Sequence, residues 1–213
     1  MPSFTIRLLT AAAILFSLPQ IAEAGPYGTL GVSVEDIQPE DDFESFTGTG
    51  INARLGYNFG RHFGLEAEGQ IGLSGEGDNP RFQDGVLDRN QTFDYIGAWS
   101  LYLRPQLPVS EKLTLSARAG FGVKYFDRTV ENPFLERLEP IIGMVNPDDL
   151  FIEDTASLGH GALGVGVEYS LGEQKTDSLR VDFTRRFHIG SLSDGEDEPF
   201  QDSQVTVSYA RKF

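Results

Sequence analysis

The sequence predicts an all-β fold, an eight-stranded antiparallel up-and-down β-barrel that crosses a membrane. Three observations predict it. Hydrophobic residues alternate with polar ones at period two along most of the chain. The N-terminus has the form of an export signal, and no later stretch is apolar for long enough to make a spanning helix. The connections between alternating segments run short, then long, and the long ones hold most of the acid.

The elements follow in chain order. Arg7 precedes an apolar run from Leu8 to Leu18, then Pro19 and the small-residue pattern Ala22-Glu23-Ala24. This is the three-part secretory signal, with cleavage expected after Ala24 and residues 25–213 left as the barrel domain. The run is too short for a membrane anchor, which needs roughly twenty apolar residues.

Leu30, Val32 and Val34 open the alternation. Ile51, Ala53, Leu55, Tyr57 and Phe59 share the next apolar face, and after Gly60-Arg61-His62 it resumes with Phe63, Leu65, Ala67, Ile71 and Leu73, which reads as a hairpin. Phe93, Tyr95, Trp99, Leu101 and Leu103 follow, then Leu113 through Tyr125 at odd positions. Gly161 to Tyr169, Leu179 to Phe183 and Val205 to Tyr209 complete eight candidate strands, an even number that closes a barrel.

A soluble barrel with an apolar ligand cavity would alternate in the same way. Segments of about ten residues or more suit a tilted spanning strand. Aromatics gather at segment ends, with Tyr57, Phe59, Phe63 and Tyr169 at one rim and Phe93, Tyr95 and Tyr125 at the other. The polar face carries charges of both signs, which would spoil an apolar cavity but pair in a narrow lumen. Hydrocarbon is therefore expected outside.

The expected long connections are 35–47, 75–92, 127–155 and 190–203. They hold 23 of the 32 acidic residues, and their only basic ones are Arg81, Arg89, Arg128 and Arg137. The whole net charge of -15 therefore comes from one end of the barrel. Such an acidic protein is not expected to bind nucleic acid, and Cys 0 excludes disulfides and thiolate metal sites.

Gly25 to Phe213 resembles the small eight-stranded outer-membrane β-barrels of the opacity-protein and OmpA-like type, the porin family of outer-membrane proteins. The terminal segment Val205-Thr206-Val207-Ser208-Tyr209-Ala210-Arg211-Lys212-Phe213 carries part of that likeness. The resemblance implies that Val205, Val207, Tyr209 and Phe213 form the signal read by the barrel-assembly machinery, with Arg211 departing where an aromatic is common. It also implies a Gram-negative outer membrane, contact with lipopolysaccharide, and a monomer.

Nine charged residues fall on the inward face: Arg54, Glu66, Glu68, Arg104, Arg118, Lys124, Glu168, Arg180 and Asp182. Eight strands leave an interior that side chains fill, so these charges must pair. Small residues at Gly120, Gly122, Ala162, Gly164 and Gly166 leave room for guanidinium groups to cross. A packed, ion-paired plug is expected, with a narrow pore for small solutes as the alternative.

A second alternative is a lipid-modifying enzyme or a protease. The histidines His62, His160 and His188 lack the His-x-Ser pair of small outer-membrane lipid A deacylases. His188 with Asp182, or with the acids of the long connections, only loosely imitates the rim acid and histidine of protease-type barrels. No catalytic, cofactor or metal site is expected, because the acidic runs match no calcium-loop motif.

In the third long connection, Asn132-Pro133 is a helix-start signal. Phe134, Leu135 and Leu138, followed by Ile141, Ile142 and Phe151, supply apolar surface either for packing over the barrel mouth or for contact with a surface protein. Arg185 and Arg211 fall on the apolar face, so either each lies near a rim or a bulge shifts the register. The functional expectation is a non-catalytic outer-membrane protein with a structural or adhesin-like role carried by acidic external loops.

Overall fold

The computed structural model describes residues 24–38, 45–83, 86–131, 151–189 and 201–213. Its strands are β1 (Gly25–Gln38), β2 (Phe46–Asn58), β3 (Phe63–Ser74), β4 (Glu76–Gln83), β5 (Val86–Pro108), β6 (Leu113–Glu131), β7 (Phe151–Leu171), β8 (Asp177–Ile189) and β9 (Gln201–Lys212). Apart from β3 and β4, which do not pair with each other, consecutive strands pair antiparallel, and β1 pairs with β9 from Tyr27↔Lys212 to Gln38↔Gln201. β3 and β4 are two lengths of one barrel strand that both pair with β5; they are separated at Gly75, whose φ of 142° is a glycine conformation. The result is a closed eight-stranded antiparallel barrel, from which β4 extends one strand outward, paired with β5 alone.

Side chains follow the pleat. The apolar residues Leu30, Val32 and Val34, at even positions of β1, and Leu55, Leu65, Leu103, Val165, Val181 and Val207, at odd positions of later strands, are exposed on the outside. The residues that alternate with them, mostly polar, are buried inside. That is the reverse of a water-soluble protein and is what a hydrocarbon solvent requires. No described helix is long and apolar enough to cross a membrane.

Three tight connections share one end with both strand termini. Phe59 N–H bonds to Phe63 O at 2.8 Å, and Val109 N–H bonds to Leu113 O at 2.9 Å. In the third connection, Gly172 and Lys175 adopt φ of 68° and 55°. Short turns mark the periplasmic end of such barrels, so the longer connections lie at the external end.

The structure changes the expected strand limits. Much of 75–92 and 127–155 is strand: β4 pairs with β5, and β6 and β7 remain in register to Glu131↔Phe151. Beyond the hydrocarbon neither face need be apolar, so alternation fades while backbone pairing continues. Glu35 and Asp202, expected in loops, are strand residues for the same reason. Tyr95 and Ile96 exchange faces, because the register shifts between Tyr95 and Gly97; Tyr95 is buried inside and belongs to no aromatic rim, while Ile96 is exposed. Phe213 leaves the outer stripe of Val205, Val207 and Tyr209 and is buried, with its N–H on Pro26 O at 3.0 Å.

Phe134, Leu135, Leu138, Ile141 and Ile142 lie outside the described residues, as do residues 1–23 of the export signal. Phe151 opens β7 opposite Glu131 instead of lying in a loop.

Candidate functional site

The lumen holds two ionic tiers. In the lower one, Arg54 from β2 bonds both Glu68 on β3 and Asp182 on β8. Arg180 grips both oxygens of Glu66 and holds Asp182 at 2.9 Å. Arg118 reaches Glu66 at 3.2 Å and Glu68 at 3.0 Å, and its guanidinium stacks 3.8 Å from the Tyr102 ring centroid. Arg104 bonds Glu168 at 2.5 Å, and Ser178 donates to the other Glu168 oxygen at 3.0 Å. Tyr27 donates to Glu66 at 2.6 Å.

Small residues make this possible. A Cβ on Gly166 would sit 2.2 Å from Asp182 Oδ1, and one on Gly56 would sit 2.3 Å from the Tyr27 ring. Either would displace a member of the network.

The upper tier is built from β1, β6, β8 and β9. Lys124 Nζ lies 2.6 Å from Glu35 and 2.9 Å from Asp202, and Arg186 lies 2.8 Å from Glu35 and 3.3 Å from Asp202. Arg186 also reaches Glu68 at 3.4 Å, which ties the two tiers together. Gln204 and Gln70 bond each other at 2.8 Å and share the Glu35 carboxylate. Six carboxylates thus face six cations, all deeply buried. Neutrality matters here because one unmatched buried ion costs several kcal/mol.

Ile37, Tyr95, Phe126 and Leu158 close the outer end of the lumen as a buried apolar cluster, with Phe46 packed against it. Lys124 Nζ lies 4.6 Å from the Tyr95 ring centroid and 5.3 Å from that of Phe126, so the lid rests directly on the upper tier.

All nine inward charges named from the sequence face the lumen, and the structure brings eight of them together in the lower tier; Lys124 belongs to the upper one. Sequence reasoning missed Glu35, Arg186, Asp202 and Tyr27. Arg186 was legible, since it continues the even-numbered face of Arg180, Asp182 and Thr184; Glu35 and Asp202 carried no signal beyond acidic residues at strand ends. The structure does not join Asp182 to His188. Asp182 pairs with Arg54 and Arg180, whereas His188 bonds Asp202 at 2.7 Å. Ser100 and His160 lie 3.0 Å apart, and the two histidine rings lie 5.4 Å apart, all buried in the lumen. His62 lies in the first periplasmic turn. Among the described residues no group of three or more His, Asp or Glu is arranged to hold a metal.

A closed barrel that is apolar outside and filled with paired charge defines a membrane β-barrel protein of the outer-membrane class. The model of the family described as "Outer membrane protein beta-barrel domain" matches residues 8–213, and the chain belongs to that family. Neisserial surface protein A (NspA) is similar at 9% identity over 91% of this chain and 100% of that one, with a TM-score of 0.57. Ail of Yersinia pestis has 13% identity over 88% and 99% of the two chains, with a TM-score of 0.49. OprG from Pseudomonas aeruginosa has 14% identity over 90% and 97%, with a TM-score of 0.45. At this identity the property shared with NspA is the fold. No curated protein matches the chain in sequence.

Proposed function

We propose that this chain is a non-catalytic outer-membrane protein in which the barrel is a sealed scaffold and the acidic connections at its outer end contact a partner at the cell surface. Residues 1–24 are read as its export signal. The observation that carries this reading is the filled lumen: two neutral, buried ionic tiers lie beneath a buried apolar cluster, and the Ser100–His160 pair is buried within that interior. Function then falls to the external connections, residues 39–45, 84–85, 132–150 and 190–200, which hold 13 of the 32 acidic residues and only Arg137 among the basic ones.

The test has two parts. Liposomes containing the refolded protein are expected to release small sugars and ions at the rate of protein-free liposomes; flux well above that rate would establish a narrow pore instead. Deleting residues 132–150 is expected to leave heat-modifiable, folded barrel and to abolish adhesion of expressing cells to a protein-coated surface. Equal adhesion by the deletion variant would leave a structural envelope role.

A further inference from the structure

The upper tier holds two imidazoles that its charge balance does not need. Ser100, His160 and His188 stand at one level of the lumen on β5, β7 and β8; His160 is in register with His188, and Gly122 of β6 lies between Ser100 and His160. His188 Nε2 donates to Asp202 at 2.7 Å, and His160 Nε2 lies 3.0 Å from Ser100 Oγ. His160 Nδ1 is buried without a hydrogen-bond partner. The charged and titratable groups around the two rings are Asp202 on β9, Arg186 on β8, Lys124 on β6, Glu35 on β1 and Tyr95 on β5. Glu68 on β3 is reached through Arg186, and Arg54 on β2 lies beyond it in the lower tier.

Lys124 and Arg186 already match Glu35 and Asp202, so a proton on either ring sets three cations against two carboxylates. An unmatched buried ion is strongly disfavoured. An imidazolium also needs an acceptor at each nitrogen, and His160 Nδ1 has none. The sealed form therefore excludes this proton, whereas an imidazole reached by water takes it near pH 6.5. Below that value each pH unit favours a form with hydrated rings over the sealed one by up to about tenfold per ring. The lid is tied to the same groups. Ile37, Phe126 and Leu158 are the next inward positions toward the external end from Glu35, Lys124 and His160, and Leu158 is in register with Lys124.

We propose that the histidine pair is a proton-operated latch on the lid, sealed at neutral pH and released toward the external side in acid. The proton comes from water at the outer mouth. An imidazolium then takes Asp202, and Lys124 keeps only Glu35 beneath the Tyr95 and Phe126 rings. The lower tier stays shut, because its cations are all arginines and no histidine stands among its groups. Acid thus uncovers an outer chamber without opening a path through the barrel. The latch rests on the sealed lumen of the preceding reading and is independent of what the external connections contact.

Acrylamide quenching of a single lid tryptophan, Phe126→Trp with Trp99→Phe, measures it in phosphatidylcholine nanodiscs from pH 7.5 to pH 4.5. Quenching is expected to be low at pH 7.5 and to rise roughly threefold or more by pH 4.5, reversibly, as the lid follows the ring protons. Adding His160→Gln and His188→Gln removes both titrating rings while keeping a donor for Asp202, and is expected to flatten the profile. If Phe126→Trp does not reach the heat-modifiable folded form, Phe46→Trp at the margin of the same cluster is the reporter. A profile that stays low throughout in the protein with both histidines would overturn the latch and leave the sealed lumen standing. The same rise in the double glutamine variant would overturn the assignment to the histidines. High quenching already at pH 7.5 would overturn the sealed lumen, and the latch with it.

Discussion

Glu66→Gln changes one atom type at the centre of the lower tier and should be among the most destabilising substitutions in the barrel. The Glu66 carboxylate accepts from Arg180 through both oxygens and from Tyr27 at 2.6 Å, and it lies 3.2 Å from the Arg118 guanidinium as an ion pair. An amide keeps the shape and the Tyr27 contact but leaves six buried cations facing five carboxylates. Breaking a buried pair by removing one partner costs about 3–5 kcal/mol. At about 1.4 kcal/mol per tenfold, the folding constant falls on the order of 10²–10⁴-fold. Reversible urea unfolding in lipid or detergent reads this through Trp99, the single tryptophan, which is exposed on the lipid face and leaves the apolar phase on unfolding. The urea dependence should keep its slope while the midpoint falls. Combining Glu66→Gln with Arg180→Met restores neutrality, so the double variant should be less destabilised than the sum of the singles by about 1–3 kcal/mol. If Glu66→Gln costs under about 0.5 kcal/mol, the lumen charges are solvated, and the account of a packed ionic interior is wrong.

Two further predictions use the same unfolding assay. Gly122→Val places a Cβ 2.1 Å from Trp99 O and 2.8 Å from the His160 ring, so it should cost about 1–3 kcal/mol through overpacking or prevent refolding. Gly161→Ala meets open space and should stay within about 0.5 kcal/mol of wild type; equal effects at the two positions would contradict the inward and outward assignment. Phe126→Ala removes a fully buried lid ring beside Lys124 and should cost about 3–5 kcal/mol, and a near-neutral result would mean that the lid is not packed.

Much of the barrel was readable before any coordinates. The run from Ile51 to Phe59 and its continuation from Phe63 to Leu73 identify two strands, their faces and the turn between them, because pleat and hydrocarbon impose period two on neighbouring residues. The same rule put Arg54, Glu68 and Arg118 inside. It failed at Tyr95, where one extra residue shifts the register, and it stopped at Glu35 and Asp202, where the chain leaves the hydrocarbon and alternation is no longer demanded. It also gave no warning that Phe213 turns inward, where its N–H bonds Pro26 O across the seam between the first and last strands.

By itself the sequence determined where strands run, which way their side chains point and at which end the acid collects, all properties set by residues within a few positions of one another. The tertiary structure alone decided which charge meets which. Arg54 and Asp182 are separated by 128 positions and Arg180 and Glu66 by 114, yet each pair touches across the lumen. The stagger of a closed, tilted barrel sets those meetings, and stagger is a property of the whole ring of strands that no single strand encodes.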